Sequence, residues 1–147
     1  MIGDTYSRYW WAKMNGLAIR LLGPFQITLD DEPITQFETE KVRVLLAYLA
    51  AEAEHPQRRE FLAEMFWPGR PEGAARANLR HALGVLRTAI GDRQRSIDST
   101  TNQPILLVTR ETIRFNLTPA VWLDATLFVK MLPGGTLAAQ PTISQLE

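Results

Sequence analysis

Residues 58–90, RREFLAEMFWPGRPEGAARANLRHALGVLRTAI, constrain the fold more than any other stretch. In the second half, Ala75, Leu79, Ala82, Leu83, Leu86 and Ile90 fall on one continuous stripe at helical spacing. Such a stripe has to be buried against neighbouring elements. It predicts a helix from about Gly73 to Ile90 that acts as a spine of the core, with Gly91 as its C-cap. The first half predicts a shorter helix from about Arg58 to Phe66, with Phe61, Leu62, Met65 and Phe66 as its buried side. Pro68-Gly69-Arg70-Pro71 stops that helix and leaves two helices joined by a tight turn. Trp67 at the junction reads as a lid on the core.

The flanking pieces show other periods. Residues 17–29, LAIRLLGPFQITL, are strand-like, and Pro24 falls at an edge or bend. Asp30-Asp31-Glu32-Pro33 reads as a turn, with a short return strand from Ile34. Thr39 is placed to N-cap a helix in which Val42, Leu45, Leu46 and Leu49 recur, and His55-Pro56 ends it. Residues 92–104 are polar and read as a flexible loop. Ile105–Val108 and Ile113–Leu117 then alternate as two strands around Thr109–Thr112. Residues 121–128, VWLDATLF, predict the start of another helix, followed by a tail expected to be loosely attached. The expected class is α+β: an N-terminal antiparallel sheet, three helices and a C-terminal β-hairpin.

Composition narrows the chemistry. The chain has 147 residues, enough for one domain with short appendages. There are no cysteines, which excludes disulfides, cysteine zinc sites and thiol catalysis. No apolar run reaches the roughly 18–20 residues that span a bilayer, and the N-terminus lacks a signal-peptide core. A cytoplasmic, non-membrane protein is expected. His55 and His81 have no metal-ligand spacing, and phosphate-loop, dinucleotide and nucleophile-elbow motifs are absent. No enzyme activity, cofactor or metal is expected.

The formal net charge is zero, but the charges are segregated. Residues 30–54 carry seven acids against Lys41 and Arg43, whereas residues 58–95 carry eight arginines against four acids. On the long helix, Ala77, His81, Gly84 and Thr88 lie opposite the apolar stripe. Apart from His81 they are small, so this face can approach a groove floor closely. Arg76, Arg80 and Arg87 line one shoulder and Asn78 the other; arginine and asparagine are the usual readers of guanine and adenine edges. Shoulder arginines also cover apolar surface or pair with acids on neighbouring helices, and that alternative stays open for all three. Arg110 and Arg114 flank the hairpin tip, where they can touch the minor groove or its phosphates, or simply be solvated.

Two helices followed by a hairpin are the layout of a winged-helix DNA-binding domain. Residues 17–128 resemble the winged-helix domain of bacterial SARP/BTAD transcriptional activators, which is of OmpR/PhoB type. The resemblance rests on Leu22-Gly23 with Phe25, Lys41 with Leu45-Leu46, Arg59 with Leu62-Ala63, Trp67-Pro68, Ala75-Arg76, Asn78-Leu79-Arg80, Leu86-Arg87 and Trp122-Leu123-Asp124. It implies that residues 73–90 are the recognition helix in the major groove and residues 105–117 the wing. It also implies promoter DNA as partner, bound as a dimer at direct repeats, and a loop between helices two and three that faces RNA polymerase through Arg70 and Glu72. The organisation expected is an extension over 1–16, the winged helix over 17–120, and the start of a truncated helical BTAD-like segment over 121–147. The hairpin tip departs from the pattern, with Arg110-Glu111 where a glycine is expected. A second reading of the same scaffold is a protein-interaction module that docks a transcription partner without touching DNA.

Overall fold

The computed structural model describes residues 16–92 and 103–133. The sequence predictions for the N-terminal arm, most of the polar loop and the tail fall on residues outside these. The described residues form a mixed α/β fold with four helices and two sheets, compatible with the α+β class.

The first sheet is built from β1 (Leu17–Arg20), β2 (Gln26–Leu29), β3 (Glu32–Pro33) and β7 (Val121–Leu123), in the order β3-β2-β1-β7. Leu17 and Ile19 alternate inward along β1, as a half-buried strand requires, and Ile27 meets Ile19 across the ladder. Asp30 and Asp31 make the two-residue turn between β2 and β3 with φ of 49° and 70°, a region that aspartate tolerates better than most residues. The return strand is therefore Glu32–Pro33, two residues before the position predicted from Ile34. The expectation of a purely antiparallel sheet is also corrected, because β7 pairs with β1 in parallel, Leu17 with Val121 and Ile19 with Leu123. Residues 121–123 are thus strand, and α4 (Asp124–Met131) begins only after them.

Two pins hold β7 in place. Leu17 N donates to the Ala120 carbonyl at 2.8 Å, and the backbones are so close there that a Cβ on Gly16 would collide with the Ala120 oxygen. At the other end the Asp124 carboxylate accepts from Leu21 N and Leu22 N at 2.9 and 3.0 Å.

Helix α1 (Glu40–Ala51) is N-capped by Thr39, whose hydroxyl accepts from Val42 N, and it buries Val42, Leu45, Leu46, Leu49 and Ala50. Helix α3 (Glu72–Ala89) buries the whole predicted stripe, Ala75, Leu79, Ala82, Leu83 and Leu86, with Ile90 following at its C-cap. Gly91 closes this end at φ 70°. Each buried leucine contributes about 1.5–3 kcal/mol of apolar transfer free energy, so the leucines of α1 and α3 are a large source of stability.

Helix α2 (Arg59–Phe66) differs from its prediction. It buries Leu62 and Ala63, whereas Phe61 is 50% and Met65 39% exposed. The face toward α3 is narrower than the apolar content of the helix suggests.

The second sheet, in the order β4-β6-β5, joins the hairpin of β5 (Leu106–Val108) and β6 (Thr112–Phe115) to β4 (Gln57–Arg58). Ile105, Leu106, Ile113 and Phe115 plug the hairpin into the core. Asp92, in the segment read as loop, is fully buried and accepts from Ile105 N at 2.6 Å and Leu106 N at 3.2 Å. It welds the end of α3 to the start of β5.

Candidate nucleic-acid interface

The hairpin tip is shaped by Thr109. Its hydroxyl accepts from Glu111 N and Thr112 N at 3.2 and 2.9 Å, while Thr109 N donates to the Thr112 carbonyl. No residue of this turn has a positive φ, so glycine has no conformational role there. The tip is not free in solvent. Arg59 N donates to the Glu111 carbonyl, and the Arg59 guanidinium donates to the Thr109 carbonyl, each at 2.9 Å. The start of α2 therefore braces the hairpin.

This docking encloses a groove of about 480 Å³, lined by Arg58, Arg59, Glu60, Arg76, Leu79, Arg80, Arg110 and Glu111. Five guanidinium groups face two carboxylates. Of the residues nominated from sequence, the groove unites Arg76, Arg80 and Arg110. Arg80 and Arg110 are exposed and form no ion pair with a described residue. Arg76 is held by Glu60 of α2 at 2.9 Å, the helix-to-helix pairing left open by the sequence, and by Glu72 of its own helix at 2.6 Å.

The other nominated residues lie elsewhere. His81 Nε2 sits 2.6 Å from Glu38 Oε1, so the acidic loop before α1 reaches the middle of the outward face of α3. Asn78 is half-buried on the opposite shoulder. Arg87 packs 3.6 Å from buried Asp92, near the far end of the helix. Arg114 points toward Glu54, 4.0 Å away, and does not line the groove. Arg70 and Glu72 border a second cavity of about 400 Å³ with Trp67, Glu60 and Glu64. Lys41 Nζ lies 5.5 Å over the Trp67 ring, which packs against the core as a lid does.

Sequence reasoning did not nominate Arg58 and Arg59 as site residues. A signal for them exists, because two arginines open a helix where the macrodipole favours acids, and such a local inconsistency points to function. Among the described residues no cluster of His, Asp and Glu could hold a metal ion, and no helix is long and apolar enough to cross a membrane. Compared with protein-family models, curated proteins and solved structures, the chain matches none.

Proposed function

We propose that this chain is a winged-helix module that binds double-stranded DNA and regulates bacterial transcription. The observation that carries the reading is the arginine groove at the junction of α2, α3 and the hairpin, where five guanidinium groups outnumber two carboxylates and Arg80 and Arg110 form no ion pair with a described residue. In this reading α3 enters the major groove and the hairpin is the wing on the adjacent minor groove or backbone. The order of helices and hairpin and the SARP/BTAD resemblance support it. Ala77, Gly84 and Thr88 on the outward face of α3 are small, and the Glu38 carboxylate paired with His81 in the middle of that face would have to turn aside for α3 to approach base edges. Arg70, exposed in the α2–α3 turn, is the residue offered to RNA polymerase, and direct repeats would recruit a second copy. The module works in the cytoplasm by binding, with no catalytic chemistry or cofactor of its own.

The test is titration of the purified chain with its own upstream promoter DNA against a scrambled duplex at two salt concentrations. Preferential binding that weakens steeply with salt supports the reading. A folded protein that binds neither this DNA nor a broad duplex pool overturns it.

One set of observations favours the protein-interaction reading. Phe61 and Met65 on α2 and Leu127, Phe128 and Met131 on α4 are exposed apolar side chains on short helices. Binding through these groups would be nearly indifferent to salt.

A further inference from the structure

We infer that the groove between the start of α2, α3 and the hairpin tip is a phosphate-binding site, with Arg80 and Arg110 as its ligands and Arg59 as a positioning residue. For its natural occupant, a phosphodiester of the DNA backbone, the inference rests on the DNA-binding reading. The groove itself can be tested without DNA.

The lining decides what the groove takes. It presents guanidinium groups, two carboxylates and Leu79, and no aromatic wall on which a base could stack. The planar fork of arginine matches phosphate oxygens in pairs. Glu60 does not neutralise the site, because it is committed to Arg76 and lies 3.7 Å from Arg58. The pair between Arg58 and Glu60 is exposed on both sides, hence weak, so Arg58 is free to turn toward an incoming anion. The arginines at the start of α2 oppose the macrodipole, and an anion in the groove relieves that conflict.

The hairpin tip forms the far wall, held there by the β4–β6 pairing and by Arg59, which bonds Thr109 through its side chain and Glu111 through its backbone. Arg110 sits between those two anchored residues, so Arg59 helps to set its approach to the groove. Arg80 and Arg110 therefore hold backbone and fix register, and base reading falls to other parts of α3.

The experiment compares wild type with Arg80→Ala, Arg110→Ala, Arg59→Ala and the Arg59→Ala/Arg110→Ala pair. All are measured on promoter and scrambled duplexes across a salt series, with circular dichroism melts as a fold control. Arg80 and Arg110 are exposed and unpaired among the described residues, so their removal should leave the fold intact. Each single variant at these two positions should weaken both duplexes by the same factor, roughly tenfold. Each should also lower the slope of log K against log salt by about 0.9. Adding Arg110→Ala to Arg59→Ala should cost less than Arg110→Ala alone, because the side-chain half of the brace, from the Arg59 guanidinium to the Thr109 carbonyl, is already gone and the tip holds Arg110 less firmly. A change in the ratio between promoter and scrambled duplex would mark a base contact and overturn the inference.

If wild type binds no DNA, inorganic tripolyphosphate titrated at low salt separates the two ideas. Binding by wild type that is lost in Arg80→Ala and Arg110→Ala keeps the phosphate groove while the DNA reading falls. Equal binding by wild type and variants, or none by either, removes the groove as well.

Discussion

Arg80 and Arg87 sit two helical turns apart on one shoulder of α3, yet they have opposite surroundings. Arg80 opens into the arginine groove and forms no ion pair with a described residue. Arg87 lies beside the buried Asp92, which also accepts from the backbone of β5. Residue type and helical face are the same, and only the neighbouring chain differs. The difference teaches that an arginine-rich face is not one functional unit. One end of α3 carries a guanidinium with no ion pair among the described residues, and the other is tied into the fold.

The strongest way to break this comparison is at Asp92. Asp92→Ala leaves two buried amide donors without acceptors, each worth about 1–3 kcal/mol, so a loss of about 2–6 kcal/mol is expected in urea unfolding. A loss under half a kilocalorie would show that the weld is not structural. Gly16→Ala should cost about 1–3 kcal/mol, because the new methyl forces β1 away from Ala120; an unchanged melting temperature would count against that close approach.

Arg80→Ala and Arg87→Ala sharpen the contrast when read in the same two assays. The first should weaken duplex binding by about 1–3 kcal/mol at unchanged stability. The second should lower stability by about 1–3 kcal/mol while binding changes less. Matching losses in both assays would dissolve the distinction. The smallest effect is expected for Thr39→Ala, about 0.5–1 kcal/mol of stability, since the cap bond to Val42 N is long at 3.4 Å.

What the sequence revealed follows the range of the interactions. The α3 stripe was legible because its six positions repeat over about four turns, and burial agreed at each. The face of α2 was not, since eight residues are too few for a period to choose between Phe61 and Ala63. That choice is made by where α3 lies. β4 was invisible because Gln57-Arg58 has no strand pattern of its own and is extended through pairing with Ile113 and Thr112. Asp92 looked like loop polarity because its partners are 13 and 14 residues away. At the site, the arginines could be named from the helical wheel. Which of them stay unpaired depends in part on acids from other elements, such as Glu60 for Arg76 and Glu54 for Arg114, whose contacts are tertiary. The brace from Arg59 to the tip spans 50 residues and left no local trace.

The parallel pairing of β1 with β7 bears on how this protein is made. β1 is among the first described elements, yet Leu21 and Leu22 find their carboxylate acceptor in Asp124, 103 and 102 residues later. Contacts of such separation form late, because closing the intervening chain costs entropy before the pairing returns anything. On the ribosome, β1 therefore waits with one edge bare through the synthesis of α1, α2, α3 and the hairpin, and a ribosome that stalls before Asp124 presents a chain with an open strand edge.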